Sequence, residues 1–204
     1  MNAKRLLLAG VLLALLGYLL SGPDTYPITN AEPNGKTLVC FGDSLTYGTG
    51  AAKGMDYPSQ LSRLLGEPVV NLGVPGDTTA GALARIDQVL ELEPRVAFLT
   101  LGGNDLKNGV AKETAFANLR VIVEKLQQAG ALVVIGGIQI PMLGRGYGDA
   151  YQQLARETGS LLLDNVFDGI MGDSGLMSDR IHPNDKGYAI LARRFHELVA
   201  PYLK

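Results

Sequence analysis

The chain has 204 residues and a formal net charge of −2, with 47% hydrophobic and 19% charged residues. That length suits one domain that can bury a core, and the composition excludes a disordered chain. The near-neutral charge offers no basic patch for nucleic acid, and one cysteine with two histidines provides neither an intrachain disulfide nor a zinc motif.

The first residues have the pattern of an export signal. Lys4 and Arg5 precede residues 6–20, an uncharged run whose helix would be roughly 22 Å long, shorter than the roughly 30 Å hydrocarbon core of a bilayer. We therefore expect residues 1–22 to act as a signal or a membrane anchor, with cleavage and retention equally open. Either outcome exports the remainder to the periplasm or another extracytoplasmic space, where retention would tether it to the inner membrane.

The proline-rich interval 23–35 is predicted to be a linker, and residues 36–204 to be the folded domain. Short apolar runs alternate there with stretches of helical spacing. The predicted strands are 37–41, 68–73, 95–103, 131–140 and 160–166, and the predicted helices are 57–65, 78–92, 112–130, 150–159 and 184–204.

Strands separated by helices pair in parallel through right-handed crossovers. The strand runs are continuously apolar, which indicates that helices cover both faces of the sheet. The sequence therefore predicts an α/β fold, a flavodoxin-like three-layer α/β/α sandwich around a five-stranded parallel sheet.

Chemically useful residues follow the first three predicted strands. The letters "GDS", "NLGVPG" and "GGN" place Ser44, Gly73 or Gly76, and Asn104 after successive strands. Because ligand sites in open parallel sheets lie beyond the carboxyl ends of the strands, we expect these residues to meet.

The downstream letters "SDRIHPND" supply the remaining parts of a nucleophilic hydrolase. A serine hydroxyl is a weak nucleophile until a base removes its proton, and His182 can be that base for Ser44. Asp179 can fix the imidazole tautomer, since Pro183 disfavours helical geometry at His182 and allows the segment to turn back. The amides of Ser44 and a glycine, with the side-chain amide of Asn104, would then bind an oxyanion.

Four motifs, "GDSL", "NLGVPG", "GGND" and "DRIH", occur in the order and spacing of the GDSL, or SGNH, hydrolase family. From residue 36 to the end, the chain resembles small bacterial members typified by the multifunctional acyl-CoA thioesterase/lysophospholipase and by arylesterases. The resemblance implies a Ser44 nucleophile, an Asp179–His182 relay, and oxyanion donors from Ser44, Asn104 and a glycine. It favours Gly76 as that glycine, with Gly73 as the alternative, and it implies no metal and no cofactor.

We therefore predict a serine esterase that hydrolyses a small-molecule or lipid acyl ester or thioester through an acyl-enzyme intermediate. Loops 48–56, 105–112 and 141–149 should frame the acyl groove, with Met142 and Leu143 as candidate lining residues.

Simpler interpretations remain open. Within enzymes, the alternative is an acetyl-ester hydrolase that acts on cell-envelope polysaccharide. Outside enzymes, it is a catalytically silent binding module, which the intact Ser-His-Asp set disfavours. For single residues, Ser44 alone is typical of a turn serine and Asn104 of a helix cap.

Overall fold

A computed structural model describes residues 26–140, 144 and 146–203 of the chain. The strands are β1 (Thr37–Gly42), β2 (Val69–Gly73), β3 (Pro94–Thr100), β4 (Leu132–Gly136) and β5 (Leu161–Leu163). The helices are α1 (Ser44–Tyr47), α2 (Tyr57–Leu65), α3 (Thr79–Ala84), α4 (Asp87–Leu90), α5 (Gly103–Lys107), α6 (Lys112–Gln128), α7 (Tyr147–Thr158) and α8 (Asp185–Val199), followed by a 3₁₀ turn, Ala200–Tyr202.

The five strands form one parallel sheet in the order β2-β1-β3-β4-β5. The central strands are buried along almost their whole length, in keeping with their continuous apolar sequences. The predicted α/β class, the parallel pairing and the number of strands are thus confirmed. This order brings the carboxyl ends of β1, β2 and β3 side by side.

Helices cover both faces of this sheet, as right-handed crossovers require. The chain moves outward from β1 to β2 through α2 and back across to β3 through α3, so these two helices lie on opposite faces. Helix α8 packs on α2, while α6 packs on α3 and α7. On the first face, the ring of Phe195 lies 5.3 Å from that of Tyr57 and 5.5 Å from that of Phe98, which joins α8, α2 and β3 in one core.

Several boundaries differ from the prediction. The helix expected over 78–92 is two helices, α3 and α4, separated at Arg85 and Ile86. Its apolar spacing continues across the break, but the side chain of Arg85 turns into the protein to hydrogen-bond strand-end carbonyls. The strand expected over 131–140 ends at Gly136, and the last helix ends at Val199, because the proline at position 201 cannot continue it.

The interval predicted as a linker lies against the domain where it is described. The hydroxyl of Tyr26 donates to the carbonyl of Ser160 at 2.8 Å, and the amide of Thr29 donates to Gly159 at 2.8 Å. The side chain of Asn30 donates to the carbonyls of Gln127 and Ala131. Residues 26–30 are thus attached to the domain surface by hydrogen bonds rather than free of it.

The predicted leader, residues 1–22 with the apolar run 6–20, lies outside the described residues. Among the helices that are described, none combines the length and the apolar character that crossing a membrane requires.

Candidate active site

Ser44 is the first residue of α1, immediately beyond the end of β1. Asp43 caps this short helix, since its Oδ1 accepts a hydrogen bond from the amide of Leu45 at 3.0 Å. Gly42 is required before the turn, because a Cβ there would overlap the side chains of Thr46 and Thr100. The turn therefore presents the Ser44 hydroxyl above the sheet.

His182 lies within hydrogen-bond distance of Ser44. The Nε2 atom of His182 is 3.0 Å from Ser44 Oγ, and its Nδ1 atom is 2.7 Å from Asp179 Oδ2. The other carboxylate oxygen, Asp179 Oδ1, accepts the amides of Ile181 and His182 at 2.8 Å each. The three residues form a continuous chain of contacts from carboxylate through imidazole to hydroxyl.

Asp179 is held ionised by this turn. Partial burial tends to raise its pKa, but hydrogen bonds from the His182 ring and from the two backbone amides outweigh burial and lower the pKa to about 2. The carboxylate is therefore negative at any neutral pH and can orient and stabilise a protonated imidazole.

The loop 48–56 joins the serine turn to the histidine segment. The hydroxyl of Tyr188 donates to the carbonyl of Thr49 at 2.8 Å, and the amide of Ala52 donates to Asp185 Oδ1 at 2.7 Å. Between them, a Cβ at Gly50 would overlap Ser178 Oγ. This loop was predicted to frame the acyl groove, but none of its residues lines the cavity beside Ser44, whereas Leu106 and Lys107 of loop 105–112 do. Its contacts instead hold the His182 segment against the turn that carries Ser44.

The candidate oxyanion donors lie on neighbouring strand ends. Within the described part of the chain, the backbone amides of Ser44 and Gly76 have no hydrogen-bond acceptor, whereas the Gly73 amide donates to Asn71 Oδ1 at 2.9 Å. Asn104 Nδ2 donates to the carbonyl of Asp77 at 2.8 Å and to Asp43 Oδ2 at 3.3 Å. The geometry thus leaves the amide of Gly76, rather than that of Gly73, available to a ligand.

Asn104 does not cap α5. The residue at the cap position of that helix is Gly102, at a φ of 113°, and Asn104 lies within the first turn. Its side chain reaches across to the ends of β1 and β2 instead, so that the three strand ends are connected through one amide group.

Asp43 is a buried carboxyl group beside the nucleophile, with 3% of its surface exposed. Burial, together with the carboxylates of Asp77 and Asp105, raises its pKa to about 7, although the hydrogen bond from Leu45 acts to lower it. Its oxygens accept hydrogen bonds from the amide of Leu45 and from Asn104 Nδ2. Asp43 therefore orients the serine turn and Asn104 rather than the imidazole.

A cavity of about 350 Å³ opens beside Ser44 and His182. Its apolar lining consists of Leu45, Leu106, Ile138, Ile140, Phe167 and Ile181, and its other lining residues are Asp43, Gly103, Asn104 and Lys107. Ile138 and Ile140 follow β4, and Phe167 follows β5. These residues therefore also lie beyond the carboxyl ends of the strands, where ligand sites of parallel sheets form. The sequence analysis did not identify them. The predicted lining residues Met142 and Leu143 lie outside the described residues.

Comparison with known proteins adds an independent line of support. A model of the GDSL-like Lipase/Acylhydrolase family matches residues 40–190, which confirms the resemblance indicated by the four motifs. Esterase TesA of Pseudomonas aeruginosa is 32% identical over 199 residues, covering 91% of this chain and 96% of that protein. Thioesterase 1/protease 1/lysophospholipase L1 of Escherichia coli is 30% identical over 165 residues, covering 76% and 79% respectively. The crystal structure of the psychrotrophic esterase EstA from Pseudoalteromonas sp. superimposes with a TM-score of 0.73 at 27% identity, covering 82% of this chain and 98% of that one.

Proposed function

The chain belongs to the GDSL-like lipase/acylhydrolase family and is a serine esterase, and on that premise we propose that it hydrolyses esters of apolar acyl groups with Ser44 as nucleophile. The observation that carries the assignment is the 3.0 Å contact between His182 Nε2 and Ser44 Oγ, across 138 positions of sequence. Nothing in a packed domain requires a serine turn and a distant histidine turn to meet at hydrogen-bond distance, whereas acyl transfer does.

In the proposed mechanism, His182 takes the proton of Ser44 as the hydroxyl attacks the ester carbonyl. Asp179 keeps the proton of the ring on Nδ1 and stabilises the imidazolium that forms. His182 then protonates the leaving alcohol or thiol, and Ser44 remains acylated. Water attacks the acyl-enzyme with His182 again as base, and the acid is released.

We assign the oxyanion to the amides of Ser44 and Gly76 and to the side-chain amide of Asn104. Both backbone amides lack an acceptor among the described residues, which supports the assignment. One of the two Asn104 donors is committed to Asp77 at 2.8 Å, while the other makes a long 3.3 Å bond to Asp43 that an oxyanion can replace. Such preorganised donors act where charge develops in the transition state.

The acyl group would enter the apolar cavity of about 350 Å³ beside Ser44. Aliphatic and aromatic walls favour a chain of several carbons over an acetyl group, because each buried methylene contributes about 0.8 kcal/mol. Four such methylenes would raise kcat/KM by roughly 200-fold. This favours fatty-acyl esters, including lysophospholipids, over acetylated polysaccharide.

Rates on esters of increasing acyl-chain length test whether longer acyl groups are preferred and whether the apolar cavity binds them. We expect kcat/KM for chromogenic octanoyl esters to exceed that for acetyl esters by about 100-fold or more, and Leu106→Trp to reduce the octanoyl rate while sparing the acetyl rate. Val121→Trp, on the exposed face of α6, is the matched control. A preference for acetyl esters would support the polysaccharide alternative.

A fluorophosphonate probe tests the nucleophile directly. We expect the probe to label the native protein and not the Ser44→Ala variant, which should have no esterase activity. A native protein that the probe leaves unlabelled would favour a silent binding module, and full activity in Ser44→Ala would refute the assignment.

We also propose that residues 1–22 direct export of the domain 36–204, either as a cleaved signal or as an inner-membrane anchor. The basic pair Lys4 and Arg5 before the apolar run 6–20 supports this. Cell fractionation with N-terminal sequencing separates the outcomes: a shortened soluble form indicates cleavage, and a full-length membrane form indicates anchoring. A full-length protein confined to the cytoplasm would contradict export.

A further inference from the structure

Arg85 connects the strand ends that carry the candidate oxyanion donors. It lies in the break between α3 and α4, and its side chain is only 15% exposed. Its Nε donates a hydrogen bond to Asp77 Oδ2 at 2.8 Å, and its Nη2 lies 2.6 Å from the same oxygen in an ion pair. It also donates to the carbonyls of Leu72 and Gly42, at 3.0 Å each, and its Cζ lies 4.3 Å from the ring centre of Phe41.

Each hydrogen bond of Arg85 goes to a residue close to one of the candidate oxyanion donors. The carbonyl of Gly42 belongs to the end of β1, two residues before Ser44. The carbonyl of Leu72 and the carboxylate of Asp77 bracket the four residues 73–76, which include the free amide of Gly76. The carbonyl of Asp77 in turn accepts the side chain of Asn104. The guanidinium of Arg85 thereby connects the end of β1, the segment 73–76 and, through Asp77, the side chain of Asn104.

Resting on the proposed function, we propose that Arg85 is a positioning residue for the oxyanion site and touches no substrate atom. Electrostatic stabilisation requires donors held about 2.7–3.1 Å from the position of the developing oxyanion, so small displacements of the strand ends weaken it. Arginine can hold two carbonyls and one carboxylate at once because its donors form a rigid planar fork, a geometry that lysine cannot reproduce. Asp77 balances the positive charge of Arg85. A substitution to lysine keeps that charge and therefore tests the bonding geometry of the guanidinium separately from its charge.

The test is Arg85→Lys, which retains the positive charge beside Asp77 and loses the simultaneous bonds to Gly42 and Leu72. We expect kcat to fall about 10- to 100-fold while KM stays within twofold, because only the transition state needs the donors in register. The pH midpoint of kcat/KM should be unchanged, because His182 and Asp179 make no contact with Arg85 among the described residues.

A double substitution distinguishes positioning from a general loss of stability. If Arg85 acts through the oxyanion donors, adding Arg85→Lys to Asn104→Ala should cost clearly less than the product of the two single effects. Arg95→Lys is the matched control: Arg95 is also partly buried, pairs with Glu67 at 2.5 Å, and lies at the opposite end of β3. We expect it to change thermal stability without changing kcat.

The proposal is overturned if Arg85→Lys keeps kcat within twofold, or if its effect multiplies fully with that of Asn104→Ala. It is also overturned if Arg95→Lys lowers kcat to the same extent. Should Arg85→Lys fail to fold, Asp77→Asn weakens the same ion pair while leaving the Asp77 carbonyl in place, and it should lower kcat several-fold at unchanged KM; unchanged kcat there overturns the proposal. Failure of the proposed function is recognised separately, by full esterase activity in Ser44→Ala.

Discussion

The substitution Asp179→Asn tests how the carboxylate controls the histidine tautomer. In the native turn, Asp179 Oδ1 accepts the amides of Ile181 and His182 at 2.8 Å each, while Oδ2 faces Nδ1 of the ring at 2.7 Å. Asparagine has only one acceptor oxygen for these two tasks. We expect that oxygen to remain with the two amides, which leaves the NH₂ group facing His182 Nδ1.

The size of the expected loss of kcat in Asp179→Asn follows from the two hydrogen bonds that the backbone amides donate. Reversing the asparagine would turn its NH₂ toward two N–H donors and forfeit both bonds, at about 1–1.5 kcal/mol each. Only roughly one to three molecules in a hundred would then have the oxygen toward the ring. In the remainder, Nδ1 must accept, the ring proton moves to Nε2, and His182 cannot take the proton of Ser44. Loss of the negative charge lowers the rate further, so we expect kcat to fall about 10⁴-fold, the size known for this substitution in a serine-protease triad.

The assay combines initial rates on a chromogenic octanoyl ester with ¹⁵N NMR of the imidazoles, which is tractable because the chain has two histidines. The His182 signals should change from the Nδ1–H to the Nε2–H tautomer. Asp173→Asn is the control, since Asp173 accepts the backbone amide of Gly175 and has no hydrogen bond to a histidine ring in the part of the chain that the structure describes. A kcat within tenfold of native, or an unchanged tautomer, would refute the reasoning.

Three further predictions concern the surroundings of the triad. Asn104→Ala should lower kcat about 10²–10³-fold in steady-state assays; a value within a factor of two would reduce Asn104 to a structural role. Gly50→Ala, at a φ of 94° against Ser178, should reduce both the free energy of unfolding in urea and kcat, and more so than Gly54→Ala, which is also at a positive φ, 77°, but has open space around its Cβ; equal effects would show that the Ser178 contact is unimportant. Between about pH 4 and 7, buried Asp43 stays protonated in the folded protein but ionises in the unfolded chain. As the pH rises through this range, the contribution of Asp43 to the free energy of unfolding should therefore fall by up to about 1.4 kcal/mol per pH unit. Urea titrations across that range should show a slope that Asp43→Asn reduces, and an unaltered slope would contradict the raised pKa.

The sequence by itself determined the order and type of the main elements. Continuous apolar runs separated by helical spacing were sufficient for a covered parallel sheet, since a half-exposed sheet would need alternation. Helix α2 was predicted with its observed bounds, 57–65, from its apolar spacing, and the structure shows that Asp56 caps it and Gly66 ends it. The break at Arg85 was missed, because the apolar spacing continues through it and its cause is a set of carbonyls distant in sequence.

For the site, the motifs indicated Ser44, Asp179, His182 and Asn104, because strand ends of a parallel sheet meet at one edge. Only the tertiary structure decided which amides remain free: the Thr46 carbonyl holds the side chain of Asn71 where it accepts the Gly73 amide, and the Gly76 amide has no acceptor among the described residues. It also supplied the cavity walls after β4 and β5 and the contacts of loop 48–56 with the histidine segment. Local patterns reflect what each segment can bury or cap by itself, whereas donor availability and cavity shape depend on neighbours that only the folded chain brings together.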